Sequence, residues 1–198
     1  HLNMRTTSDL SSIASLPNLT RLAINYESGR MYDPLWMSNL TAVKDLYLEG
    51  TYFGEPEDWA GLSGLERLTL NEVQTTVNVS NLPSFPALTQ LNIYNCSIKN
   101  GKDLSRFSNL TRFALYGGSI DNHSAIFQLT NLTALTLRPR IAGGYRSLGG
   151  VDQLSALTNL TELDWGGQGG NISSIAQLSG LKQLSFKGAN IGNPAPIT

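Results

Sequence analysis

The sequence predicts an α/β solenoid: a right-handed superhelix of about eight copies of 21 to 28 residues, with short parallel strands on the concave face and 3₁₀-like or irregular returns. Three observations predict it. The pattern L-x-x-L-x-x-L-x-L reads LTNLTALTL at 129–137 and returns as LTNLTELDW at 157–165. Its first apolar position falls at Leu16, Leu40, Leu62, Phe85, Phe107, Leu129, Leu157 and Leu178, so the spacings are 24, 22, 23, 22, 22, 28 and 21 residues. Ahead of several copies a second apolar rhythm runs in steps of three, as in Leu10, Ile13, Leu16 and in Ile172, Ile175, Leu178. Self-similarity at this period with this spacing is the signature of leucine-rich repeats.

Each copy closes on an apolar pair flanking one polar residue, which suits a short strand whose alternate side chains face opposite ways. The inward pairs are Leu22 and Ile24, Leu46 and Leu48, Leu68 and Leu70, Leu91 and Ile93, Phe113 and Leu115, Leu135 and Leu137, Leu163 and Trp165, and Leu184 and Phe186. Steps of three, as in Val151, Leu154, Leu157, fit a 3₁₀-like return better than an α-helix, which also needs fourth-residue positions. A single copy buries too few apolar side chains to offset the ordering of its backbone. Stacked copies cover each other's open faces, so residues 1–198 are expected to form a single leucine-rich-repeat domain without an internal linker. Leu2 and Met4 read as the strand of an earlier copy, and Ile191, Pro194 and Ile197 continue the rhythm past the last strand. Partial repeats at 1–15 and 188–198 therefore suggest a segment of a longer array.

Composition narrows the function classes. With 40% apolar and 15% charged residues the chain is too apolar to be disordered. A net charge of -1 gives no bulk electrostatic case for nucleic acid or an anionic membrane. No run of 18 apolar residues occurs, so no membrane insertion is expected. Cys96 is the lone cysteine, which excludes an internal disulfide. It reads as a buried ladder residue ahead of a reactive thiol, with no basic neighbour or helix start predicted beside it.

Departures from the repeat come next. Residues 25–39 carry a two-residue insertion and 138–151 about six extra residues, and such insertions map to loops at the edge of the stack. Repeats of this kind usually place Asn at the third position after the strand pair, where its amide ties neighbouring turns. Here those positions are Glu27, Thr51, Val73, Cys96, Gly118, Arg140, Gln168 and Ala189, so that ladder is expected to be missing. Nine Asn-x-Ser/Thr sequons occur, five of them (Asn18, Asn39, Asn109, Asn131, Asn159) inside the repeated NLT. Packing of the repeat is expected to explain these without glycosylation.

In-register strands stack equivalent residues about 4.8 Å apart, so the exposed sheet reads as three columns. The first runs Arg21, Asp45, Arg67, Gln90, Arg112, Ala134, Glu162, Gln183; the middle one Ala23, Tyr47, Thr69, Asn92, Ala114, Thr136, Asp164, Ser185; the third Asn25, Glu49, Asn71, Tyr94, Tyr116, Arg138, Gly166, Lys187. Arg21, Asp45 and Arg67 alternate in sign and are expected to neutralise one another. Arg112 is read as having no carboxylate in its column. Tyrosine and arginine are enriched where interfaces are strongest. The candidate partner-binding patch is therefore Tyr94, Arg112, Tyr116 and Arg138, with Tyr47 and Asp164 at its margins. No catalytic, cofactor-binding or metal site is expected. His1 and His123 are the only histidines, and the carboxylate pairs Asp45 with Glu49 and Glu162 with Asp164 read as solvated sheet charges.

The runs NISSIAQLSGL, DLSSIASLPNL and VDQLSALTNLTEL, feeding Leu-x-Leu strands, resemble the internalin-like leucine-rich repeats of Gram-positive surface proteins. The resemblance covers nearly the whole chain. It implies adhesion or receptor binding through the concave sheet of a secreted or wall-attached protein, with a protein or cell-surface glycan as ligand and an extracellular location. An intracellular scaffold resembling the repeats of phosphatase-regulating proteins, or a structural spacer on the cell wall, are the alternative readings.

Overall fold

The computed structural model describes residues 2–5, 11–25, 34–50, 56–73, 76–141, 144–145, 150–166 and 172–187. Strands Leu2–Arg5, Arg21–Asn25, Asp45–Glu49, Arg67–Asn71, Gln90–Tyr94, Arg112–Tyr116, Ala134–Arg138, Glu162–Gly166 and Gln183–Lys187 lie side by side in chain order as one nine-stranded sheet. Every pairing is parallel, and the register joins Leu22, Leu46, Leu68, Leu91, Phe113, Leu135, Leu163 and Leu184 in one row. This is the leucine-rich-repeat solenoid that the spacing predicts, and Leu2–Arg5 supplies the strand of the partial first copy by pairing Leu2 with Leu22. The continuation at 188–198 lies outside the described residues.

The returns are 3₁₀ segments: Ser11–Ser15, Pro34–Asn39, Pro56–Gly64, Val79–Asn81, Gly101–Arg106, Ser124–Gln128, Val151–Ala156 and Ile172–Gln177. Side chains three apart eclipse one another in a 3₁₀ turn. Val151, Leu154 and Leu157 are accordingly buried, as are Leu163 and Trp165 of the strand that follows them. Trp59, Phe85 and Phe107 stack from copy to copy on the return side, with ring centroids 6.0 and 6.3 Å apart. Leu16 is 47% exposed and Leu184 49%, whereas their equivalents in the copies between them are buried.

The structure adds a second row of strands that periodicity does not predict. After each of four main strands one residue adopts a left-handed conformation: Gly50, Glu72, Asn95 and Gly117, at φ of 68, 52, 56 and 74°. Their N–H groups donate to Asn71, Tyr94, Tyr116 and Arg138 of the following copy, which fixes the turn. In two copies the chain then runs extended, Thr76–Asn78 pairing in parallel with Ser97–Lys99, and Ile98 bridges onward to Ile120. Val77, Ile98 and Ile120 are buried beneath this flank.

A ladder between copies is present, at other positions than the usual one. Val73 and Cys96 are buried at the usual ladder position, and the Cys96 thiol donates to the carbonyl of Tyr94 at 3.1 Å. Glu27, Thr51, Gln168 and Ala189 lie outside the described residues. The rungs come from the NLT itself. The Nδ2 groups of Asn109, Asn131 and Asn159 donate to the carbonyls of Pro86, Ser108 and Thr130, each at 2.9 Å. Beside them the hydroxyls of Thr89, Thr111, Thr133 and Thr161 donate to Glu66, Thr89, Thr111 and Thr133, at 3.2, 3.2, 3.1 and 3.0 Å. Where NLT recurs at 109, 131 and 159 it supplies both rungs; Ala42, Gly64, Ala87 and Gly180 stand in the place of the asparagine in four other copies.

Of the two insertions, 26–33 lies outside the described residues. In the other, Arg140–Ile141 pairs antiparallel with Gly144–Tyr145. The next strand still meets its neighbour in register, Ala134 with Glu162.

Candidate functional site

The outward face of the sheet is where side chains from different copies meet. In the first column Asp45 Oδ2 accepts Nε–H of Arg21 at 3.0 Å and of Arg67 at 3.1 Å, the neutralisation expected from their order. In the third column Glu49 collects three donors: Asn25 Nδ2 at 2.8 Å, Asn71 Nδ2 at 3.0 Å and the Tyr47 hydroxyl at 2.9 Å. Burial raises the Tyr47 phenol above its usual range, and the Glu49 carboxylate adds to the rise against the bond from Asn71. Tyr47 is therefore a member of a closed polar cluster; it lines a hollow of about 320 Å³ with Arg21, Leu22, Ala23 and Asp45, apart from the other predicted residues.

A larger basin of about 510 Å³ occupies the C-terminal half of the face. Ala114, Ala134 and Thr136 form its floor between taller side chains: Gln90, Asn92, Tyr94 and Arg112 on one side, Glu162, Asp164, Gln183 and Ser185 on the other. The hollow follows from the column sequence, since two alanines and a threonine sit where neighbouring copies carry Tyr, Asn, Asp, Arg or Glu.

The expectation that Arg112 lacks a carboxylate in its column is corrected. Its guanidinium reaches over Ala134 to Glu162, Nη1 at 3.2 Å and Nη2 at 3.3 Å from the two carboxylate oxygens. A methyl at position 134 leaves the path clear, so the pair skips a strand. Arg138 also differs from a free surface cation. It is 9% exposed, its Nε donates to Asp164 Oδ1 at 2.6 Å, its Nη2 donates to Ser185 Oγ at 3.2 Å, and it lies 6.0 Å over the Tyr116 ring. The contact is diagonal, from third column to middle column, and a reading along each column misses it.

Of the six predicted residues, Tyr94, Arg112 and Asp164 line the basin together. Tyr116 and Arg138 adjoin it through the clamp on Asp164, and Tyr47 stands apart. Tyr94 pairs in register with Tyr116, its phenol is raised by burial, and its hydroxyl makes no hydrogen bond among the described residues. Thr136 and Gln183 were not anticipated as lining residues; the alanines flanking Thr136 are the signal that marks them. Asp45, Glu49, Glu162 and Asp164 each hold a partner, so neither strand presents two open carboxylates. Among the described residues no group of three or more His, Cys, Asp or Glu is placed to hold a metal ion. No helix among them is long and apolar enough to cross a membrane.

No protein-family model matches the chain, and no curated protein does. Solved structures do. Internalin C2 of Listeria monocytogenes superposes with a TM-score of 0.69 at 24% identity, over 88% of this chain and 74% of that one. A TDR receptor follows at 0.58 and 20% identity, over 91% of this chain and 32% of the receptor. The leucine-rich-repeat ectodomain of the Arabidopsis receptor kinase HAESA, solved with an extended IDA peptide hormone, matches at 0.55 and 20% identity, over 91% and 28%. The chain spans about a third of either receptor. At these identities the likeness is one of fold, and it agrees with the internalin-like character read from the repeats.

Proposed function

We propose that this chain is the protein-binding module of a secreted or cell-surface bacterial protein, docking its partner on the outward face of the sheet between Gln90 and Ser185. Tyr94, Arg112 and Asp164 lie within the contact, with Tyr116 and Arg138 along its edge. The observation that carries this reading is the basin: space floored by Ala114, Ala134 and Thr136 and rimmed by polar and aromatic groups, on a rigid scaffold. In the N-terminal half of the face Asp45 gathers Arg21 and Arg67, and Glu49 gathers Asn25, Tyr47 and Asn71. The Tyr94 hydroxyl retains its hydrogen-bonding capacity, and aromatic residues with a polar tip suit recognition. The HAESA ectodomain binds a peptide, which supports a binding role for the fold by analogy. A surface with only five lysines (Lys44, Lys99, Lys102, Lys182, Lys187) and many Ser, Thr and Asn supports an exposed location.

The test is site-specific photo-crosslinking. A photoreactive residue at Thr136 should capture a protein from host or neighbouring-cell extracellular material, and one at Ser105 on the return side should not. Replacing Ala114 by Trp should abolish capture while the fold persists. Equal capture from both positions, or capture indifferent to the tryptophan, rejects the basin as the docking face.

A further inference from the structure

The first column holds a second feature, independent of the basin. Asp45 serves two guanidiniums at once through Oδ2. Only the Nε edges of Arg21 and Arg67 are engaged; the Nη groups of both make no hydrogen bond among the described residues. Two cations against one carboxylate leave one positive charge on a chain whose net charge is -1. Among the described residues, Glu66 lies near Arg67 but is held by Lys44 at 2.7 Å, Gln90 follows Arg67 in the column, and Glu49 stands at the far end of the strand from Asp45.

The register sets the geometry. Arg21 and Arg67 flank Asp45 on adjacent strands, so their backbones stand about 9.6 Å apart, two strand spacings. Asp45 anchors each fork by its inner edge and leaves the Nη donors available for another acceptor. A guanidinium presents paired donors that match a carboxylate, sulfate or phosphate in two-point contact. Orienting the forks in advance lowers the entropic cost of binding. Space is available on the Arg21 side, where Arg21, Leu22, Ala23, Asp45 and Tyr47 line a hollow that Arg67 borders from outside across Asp45.

We propose that Arg21 and Arg67, braced by Asp45, form an oxyanion-docking point that takes one acidic group of a protein partner. Its chemistry is shared by a carboxylate side chain, a sulfated tyrosine and a phosphorylated tyrosine.

The test follows the arginine Nε–H resonances of the full chain by NMR during titration with acetate, inorganic sulfate and inorganic phosphate. Saturable shifts are expected at Arg21 and Arg67, with Arg112 unmoved. Arg21→Gln and Arg67→Gln should each weaken binding about tenfold or more, and Arg21→Lys by less, with the backbone spectrum retained as the control for folding. Peptides carrying one glutamate, sulfotyrosine or phosphotyrosine in a neutral frame then separate the three sources, the tightest binder naming the group. Shifts shared equally with Arg112, or shifts that never saturate, overturn the site. Binding of the inorganic ions without gain from any peptide overturns the assignment to a protein partner. The basin reading survives either failure, because it rests on residues 90–185.

Discussion

Arg138 and Asp164 face each other across neighbouring copies, Nε donating to Oδ1 at 2.6 Å with the arginine 9% exposed. Through Tyr116 below its guanidinium and Ser185 beyond it, this one side chain links four successive strands. Removing it strips a partly buried carboxylate of its cation. Arg138→Ala is expected to lower unfolding free energy by about 1–3 kcal/mol in urea titration, with Arg138→Lys recovering only part. A loss under about 0.5 kcal/mol, as at an ordinary surface pair, contradicts the clamp.

The ladder makes a prediction about donors. Asn131 gives its amide hydrogen to the Ser108 carbonyl, and Asn131→Ala should cost about 0.5–1.5 kcal/mol. Asn131→Asp keeps the shape and reverses the chemistry, setting a carboxylate against a carbonyl. It should be the more destabilising of the two at pH 7 and should recover as the pH falls below 4. Equal stability of the two variants across that range would remove the hydrogen-bond explanation of NLT.

Gly118 has φ of 62°, and a Cβ built there would lie 2.1 Å from the Cys96 carbonyl oxygen. Both the dihedral and the contact oppose any side chain, and the contact is with backbone that is itself held in the flank. Gly118→Ala should destabilise by about 2 kcal/mol or more. Gly64 meets only a contact at 3.7 Å, so Gly64→Ala is the control expected to fold almost normally by the same thermal melt.

Asp121 supplies a pH signature. Desolvation pushes its carboxyl up, but the backbone N–H groups of Gly101, Asn100 and Asn122 together outweigh that and hold it below its ordinary value of 3.8. Its carboxylate accepts from Asn100 N at 2.8 Å and Gly101 N at 2.9 Å. A depressed folded-state value means the stabilisation is complete above about pH 4, the unfolded range, and is lost as the pH falls through the folded value. Wild type should therefore exceed Asp121→Ala in stability at pH 6, with the gap closing toward pH 2. A gap that stays constant with pH assigns the effect to packing.

The array was legible because its signal repeats. Leu22 through Leu184 were aligned by spacing alone, and every pair meets in the expected register, since sliding a strand by one residue would turn its leucines to water. What repeats only two or three times escaped. Val77, Ile98 and Ile120 stand in stretches too short to show a strand period, and their row follows left-handed turns at Glu72, a type that does not announce one, and at Asn95, a type that favours this conformation without requiring it. The site was legible one column at a time. Tyr94 and Arg112 followed from their types; the reach of Arg112 over Ala134 and the diagonal from Arg138 to Asp164 follow from side-chain length and from the smallness of a neighbour, which no single position encodes.

The rungs at Thr89, Thr111, Thr133 and Thr161 are chemically interchangeable: each of these four joints presents the same donor to the same kind of carbonyl. A recombination that excised one whole copy, or duplicated it, would rejoin threonine to carbonyl without stranding a polar atom. Across these four joints the array could therefore gain or lose a whole copy without a new kind of contact, whereas the antiparallel pairing of Arg140–Ile141 with Gly144–Tyr145 lies outside the main sheet.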